Sequence, residues 1–192
     1  MNPEDDRLIA ECLAGRTAAF GELARRYQDR LYNTVYRLVG NAEDARDVVQ
    51  DAFLQAYRSL GRFKGDSQFF TWLYRIAVNA AISLKRKQRL AISLRGSRID
   101  PGGAEPLDTS EESRPERALE RAEQERRVQD ALNRLSPEHR AVLVLKDMEG
   151  EKYETMAEVL KVPIGTIRSR LHRARLELRE ILRRDEEPET AS

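Results

Sequence analysis

The chain is 192 residues long, 40% hydrophobic and 35% charged, with a formal net charge of +1, one cysteine and two histidines. That length accommodates one large domain or two small ones, and a charge so near zero excludes a polycation that clings to any nucleic acid, so such binding has to come from local segregation of charge. The lone Cys12 excludes an internal disulfide, the separated histidines exclude a metal cluster of the usual spacing, and the longest apolar runs fall far short of the roughly 20 residues of a membrane span.

Gly and Pro are scarce while Ala, Leu, Arg and Glu are abundant, which predicts an all-α fold. The single cysteine makes a reducing cytoplasm the expected location, the acidic opening "MNPEDDRLIAECLAG" lacks the apolar run of a secretory signal, and a short first helix is predicted around Leu8 to Leu13. From Thr17 to Val39, apolar residues at Phe20, Leu23, Tyr27, Leu31, Val35 and Leu38 keep helical spacing, with Thr17 as the expected N-cap and Gly40 as the stop. Asn41 is placed to cap a second helix, "NAEDARDVVQDAFLQAYRSL", and Ser67 a third, "SQFFTWLYRIAVNAAISLKRKQRL".

Between Ser93 and Pro115 periodicity gives way to a stretch rich in Gly, Pro, Ser and acid, which predicts a flexible linker. Helical pattern resumes in "ERALERAEQERRVQDALNRL" and "SPEHRAVLVLKDMEG", where Ser136 caps and Pro137 takes the first helical position. A short "YETMAEVL", a tight "KVP" and a long helix from about Pro163 to Arg184 follow, then an acidic tail expected to be disordered. The expected architecture is two small helical domains, an N-terminal bundle (1–92) and a C-terminal helix-turn-helix unit (116–192), joined by a linker (93–115).

The last helix carries the sharpest chemistry. "GTIRSRLHRAR" holds five basic residues in eleven, and its apolar stripe of Ile167, Leu171, Ala174, Leu178 and Ile181 leaves the opposite face to Ser169, His172 and Arg173, flanked by Thr166 and Arg168. A second helix of a helix-turn-helix enters the major groove, where Arg forks onto guanine and Ser or Thr meets bases or phosphates. Arg170 and Arg175 lie to the sides, toward phosphate. The bland alternative is a solvated face on a core helix.

Two upstream surfaces need a different account. Glu43, Asp44, Asp47, Gln50 and Asp51 form one stripe of the second helix; acid in a first turn favours the macrodipole, but Gln50 and Asp51 lie too far along for that and point to a basic protein partner. On the third helix Phe69, Leu73, Ile76, Ala80 and Leu84 make an expected core stripe, whereas Trp72, Arg75, Asn79 and Arg86 share another. That second set is either a core aromatic beside a solvated basic end or a surface that stacks on unpaired bases and holds their backbone.

The segment "NAEDARDVVQDAFLQAYRSLGRFKGDSQFFTWLYRIAVNAAISLKRK" resembles the second region, and "LSPEHRAVLVLKDMEGEKYETMAEVLKVPIGTIRSRLHRAR" the fourth region, of bacterial extracytoplasmic-function sigma factors of the sigma-70 family. The resemblance implies partners: core RNA polymerase, promoter DNA both double-stranded and melted, and an anti-sigma factor. It implies that Glu43, Asp44, Asp47, Gln50 and Asp51 dock on the clamp of the largest core subunit. It implies that Trp72, Arg75, Asn79 and Arg86, with Lys64 from the preceding loop, engage the minus-10 element, Asn79 near an extruded base. It implies that Thr166, Arg168, Ser169, Arg170, His172 and Arg173 read the minus-35 element. Lys161 stands where the family often has Gly, and Phe70 where a basic residue is frequent.

Neither a dimeric helix-turn-helix repressor nor a purely structural adaptor needs all three surfaces. For an enzyme there is no support, since Cys12 has no neighbouring base, His139 and His172 lie on different helices, and no phosphate-cradling glycine loop is present. No catalytic residue, metal or cofactor is expected.

Overall fold

Local capping chemistry sets several of the helix boundaries. The computed structural model describes residues 2–95 and 115–186, and among these there are helices and turns but no strand. Helix α1 (Pro3–Leu13) starts earlier than its apolar residues suggest because the Asn2 side chain accepts from the Glu4 amide at 3.1 Å. Helix α2 (Ala18–Val39) stops at Gly40, whose φ of 72° is open to glycine at no steric cost and whose amide returns to the Tyr36 carbonyl at 2.7 Å. Asn41 then caps α3 (Ala42–Ser59), its Oδ1 accepting from the Asp44 amide at 2.9 Å.

A 3₁₀ turn (Leu60–Arg62) leads to α4 (Phe69–Arg95). The second lobe comprises α5 (Pro115–Arg134), α6 (Pro137–Leu143), a π-helical turn (Val144–Met148), α7 (Tyr153–Leu160) and α8 (Ile164–Glu186). Ser136 caps α6 by accepting from the His139 amide at 3.2 Å, with Pro137 in the first turn.

Thr17 holds the expected N-cap position without capping through its side chain, and Ser67 falls short of the cap position of α4. Thr17 already has helical φ and ψ of −58° and −30° and makes no side-chain bond to the helix end. Ser67 lies one residue too early: α4 begins at Phe69, and the Trp72 amide closes the first turn on the Gln68 carbonyl at 3.1 Å. The expected linker spans 93–115; α4 continues to Arg95 and α5 starts at Pro115, and 96–114 lie outside the described residues, as do 187–192 of the acidic tail.

In the first lobe α2, α3 and α4 pack mutually, burying Leu23, Leu31 and Val35 of α2 and Ala45, Ala52 and Ala56 of α3. The small residues of α3 let the helix backbones approach closely. Helix α1 is pinned to α2 by the buried Asp5, which accepts from Arg26 Nη1 at 2.7 Å and from the Tyr27 hydroxyl at 2.6 Å. Burial, then the hydrogen bond to Asp5, pushes the Tyr27 phenol up to about 12.

Helix α4 buries more than its expected stripe. Phe69 and Leu73 are fully buried, but Ile76, Ala80 and Leu84 are only half-buried, while Phe70, Tyr74, Ala77, Val78, Ala81 and Ile82 join the core. The reason is that α4 is central: α2 and α3 cover one side and α6 and α7 of the second lobe cover another. Phe70, at the position where a basic residue is frequent in the family, is clamped by Tyr27 and Tyr74 with ring centroids 5.1 and 5.6 Å away, and Arg30 lies over its face at 4.1 Å. The buried apolar side chains of both lobes form one connected cluster. No helix among the described residues is long and apolar enough to cross a membrane.

Candidate nucleic-acid interface

Helices α7 and α8 form the helix-turn-helix. The turn depends on Lys161, the one non-glycine residue with positive φ among the described residues (φ 54°, ψ 45°), whose amide bonds to the Ala157 carbonyl. A side chain in that left-handed conformation costs about 1–2 kcal/mol, a penalty that glycine escapes. Replacing Lys161 with Gly relieves the strain at an entropic cost of about 0.5–1 kcal/mol, so Lys161→Gly is expected to leave stability level or raise it by about 1 kcal/mol in thermal unfolding. A clear loss of stability counts against a strained turn.

After the turn, the Pro163 carbonyl accepts from the amides of Thr166 and Ile167 at 2.9 and 3.1 Å and launches α8. Ile167, Leu171 and Ala174 are buried and seat α8 on α6 and α7, with Leu178 and Ile181 half-buried beyond them. The opposite face carries Arg168, Ser169, His172 and Arg173, all exposed, with Thr166 and Arg170 half-exposed at its edges. Ser169 donates to the Thr166 carbonyl at 3.0 Å, and Arg168 lies 5.6 Å over the Tyr153 ring, which fixes the start of the face. Arg175 is committed elsewhere: its guanidinium forks onto Asp147 of the π-helical turn, Nε at 3.0 Å from Oδ2. The basic stretch is thus split between an exposed basic face and a structural pair.

Lys64 is exposed in the loop before α4. Trp72 is half-buried against Phe63 and Phe69, with centroids 5.2 and 5.9 Å away, so it is both part of an aromatic cluster and partly open. Arg75, Asn79 and Arg86 share its face, and that face is turned toward the second lobe. Asn79 Nδ2 donates to the carbonyls of Arg75 at 2.7 Å and Val159 at 3.0 Å. Arg75 Nη2 lies 3.5 Å from Glu158, and Arg86 Nε 2.6 Å from Glu138.

On α3, Glu43, Asp47, Gln50 and Asp51 are exposed; Asp44 is half-buried and accepts from Gln88 Nε2 at 2.9 Å. Leu54 and Tyr57 extend this stripe and remain 45% and 42% exposed. They line a groove of about 670 Å³ between α2 and α3, with Phe20, Val49 and Phe53, and Gln50 at its rim. The signal was in the sequence, since Leu54 and Tyr57 stand four and seven residues after Gln50 on the same helical face. An apolar residue on a polar stripe is an exception to the amphipathic pattern, which hides their role from periodicity.

The models of the sigma-70 region 2 and sigma-70 region 4 families match residues 23–91 and 125–178. The chain is 38% identical to the RNA polymerase sigma-H factor of Pseudomonas aeruginosa over 179 residues, 90% of each chain. It is 33% identical to the ECF RNA polymerase sigma factor SigW of Bacillus subtilis over 180 residues, 91% of this chain and 95% of that one. Among solved structures, it superposes on the sigma factor RpoE of Bartonella quintana, determined in complex with the anti-sigma factor NepR, with a TM-score of 0.66 at 27% identity, covering 85% of this chain and 96% of that one. It also superposes on CnrH, determined with the cytosolic domain of CnrY, with a TM-score of 0.64 at 27% identity, covering 95% and 99%. With two regional models in order along one chain, and relatives matched over nine-tenths of their length, this protein belongs to the extracytoplasmic-function sigma factors of the sigma-70 family.

Proposed function

We propose a division of labour among three surfaces of this sigma factor, which directs core RNA polymerase to promoters. The segment 1–92 carries core binding and minus-10 recognition, and 116–192 carries minus-35 recognition. Glu43, Asp47, Gln50 and Asp51 meet basic residues of the core clamp, while Leu54 and Tyr57 bury apolar surface beside them; Asp44 sits at the edge of this contact. Steering by the acids and burial in the groove are complementary, since charge sets orientation and on-rate while apolar area supplies affinity.

On α4, Trp72 supplies a stacking face, Asn79 hydrogen-bonds the edge of an extruded base, and Arg75, Arg86 and Lys64 hold the backbone. Extruding a base costs a few kcal/mol of stacking and pairing, so a pocket that captures it turns sequence preference into strand opening. No covalent chemistry by this chain is involved. On α8, Arg168, Ser169, His172 and Arg173 face base edges, with Thr166 and Arg170 toward phosphate. A regulatory partner of the anti-sigma kind belongs to this reading, by analogy with the RpoE–NepR complex.

The observation that carries the assignment is the exposed Arg168–Arg173 face on a helix whose other side buries Ile167, Leu171 and Ala174. Arg173→Ala is expected to weaken recognition of the upstream element by about 1–3 kcal/mol while sparing core binding. Run-off transcription on promoters with and without the minus-35 element checks it, and an unchanged preference counts against the assignment.

A further inference from the structure

The acid that faces the basic stretch of α8 comes from a segment of unusual winding. Val142, Leu143, Val144 and Leu145 are four consecutive buried residues, more than one face of an α-helix can hold. The chain accommodates them with the π-helical turn Val144–Met148, in which the Glu149 amide returns to the Val144 carbonyl, five residues back, at 3.0 Å. The turn sends its two charges to different helices. Lys146 Nζ donates to the Glu151 carbonyl at 2.9 Å and lies 5.0 Å from the Tyr153 ring at the start of α7. Asp147 faces α8, where both of its oxygens accept from Arg175: Nε to Oδ2 at 3.0 Å and Nη2 to Oδ1 at 2.5 Å.

Within the basic stretch this commitment sets Arg175 apart. Among the described residues, Arg168, Arg170 and Arg173 have no carboxylate within ion-pair distance. Arg175 follows Arg168 by seven residues, which at 100° per residue puts the two on one edge of the helix, about 20° apart. Freed from Asp147, its side chain would extend along that edge toward the phosphates flanking the major groove. Such a contact is the same on every sequence, and it adds affinity that salt removes.

Seating α8 does not require this pair. Ile167, Leu171 and Ala174 are buried against the rest of the lobe, Glu177 lies 2.6 Å from His139 of α6, and Asp185 lies 2.7 Å from Arg134 of α5. Nor is the pair a loose surface contact. Arg175 and Asp147 are 52% and 38% exposed, a setting in which single ion pairs are weak, but a two-bond fork is the geometric exception. The carboxylate is also held in place, since its turn is fixed by the Glu149 amide and by the Glu151 amide on the Leu145 carbonyl at 2.9 Å.

We propose that Asp147 withholds Arg175 from the DNA backbone and so sets how strongly α8 grips duplex of any sequence. The proposal rests on the assignment of α8 to the minus-35 element. With one cation of the stretch neutralised, the hold on duplex lacking the element is weaker and residence there shorter, while Arg168, Ser169, His172 and Arg173 keep their contacts to base edges.

The test uses holoenzyme reconstituted from core polymerase and the full chain, on two labelled duplexes, one with the minus-35 element intact and one with it scrambled. Binding is measured from about 50 to 200 mM salt, at a temperature too low for strand opening, and each neutralised phosphate contributes about 0.9 to the slope of log affinity against log salt. Asp147→Ala is expected to steepen the slope by about 0.9 and to tighten both duplexes alike, at least about threefold at the lowest salt. Arg175→Gln is expected to keep the wild-type slope, and the double variant to match it. Helix content by circular dichroism checks folding, and the Arg175→Gln arm stands by itself should Asp147→Ala fail to fold. A slope made shallower by Arg175→Gln overturns the proposal, because Arg175 then already holds a phosphate. A folded Asp147→Ala variant with the wild-type slope overturns it too, as does weaker binding by both single variants at unchanged slope, the mark of a purely structural pair. Failure of the underlying assignment is separately visible: wild-type holoenzyme then does not distinguish the two duplexes, and the proposal falls with it.

Discussion

Reversing two acids on α3, Asp47→Lys with Asp51→Lys, is expected to abolish association with core RNA polymerase. Both side chains are exposed, on the solvent face of a helix whose opposite face buries Val48 and Ala52. Lys is a good helix former, so folding is expected to survive. Binding is another matter: the pair changes from −2 to +2 in a contact that meets basic residues, and like charges set against one another cost several kcal/mol. Since about 1.4 kcal/mol is tenfold in affinity, a loss well beyond a hundredfold follows. Co-purification of the variant with core at wild-type yield, its helical spectrum intact, would sink the assignment. Leu54→Ser and Tyr57→Ser in the adjoining groove distinguish burial from steering, because loss of apolar area raises the off-rate while loss of charge lowers the on-rate.

Asn79→Ala is expected to impair strand opening without impairing core binding. The pocket has to recover the few kcal/mol spent on unstacking a base, and an Asn amide that both donates and accepts is the side chain on this face suited to a base edge. Its loss is expected to lower open-complex formation at least about tenfold, read as permanganate reactivity of the minus-10 region in holoenzyme. A promoter already mismatched across that region needs less opening energy and should restore most of the transcription. Equal permanganate reactivity in wild type and variant, or a defect that persists undiminished on the premelted template, contradicts the role.

What could be read from the sequence divides along the range of the forces involved. Gly40, Asn41, Ser136 and Pro137 act on backbone groups within four residues, and the structure shows each where the sequence puts it. Thr17 stands at the expected N-cap position of α2 but makes no capping bond, and Ser67 stands one residue short of the cap position of α4. The stripe Ile167, Leu171 and Ala174 was legible because α8 is covered on one side only. Helix α4 was not, since it is covered by neighbours from both lobes, and burial of Phe70, Tyr74 and Val78 depends on contacts with residues far along the chain. Arg140 carried no local signal at all. An Arg in the first turns of a short helix reads as solvated, and only the arrival of the α2 terminus from a hundred residues upstream makes it a buried cap.

The separate surfaces are also legible to different degrees. The basic face of α8 and the acidic stripe of α3 stand out by charge alone. The groove beside that stripe, and the commitment of Arg175 to Asp147 rather than to phosphate, emerge only when the helices are brought together.

The most direct measurement is transcription reconstituted from purified core RNA polymerase and this chain on a library of random promoter sequences. The chain is expected to co-elute with core, initiation to depend on its addition, and the selected templates to share two motifs at one fixed spacing, the downstream one lost with Asn79→Ala and the upstream one with Arg173→Ala. Tight binding of duplex promoter DNA by the chain alone, with no association with core and no added initiation, would contradict it.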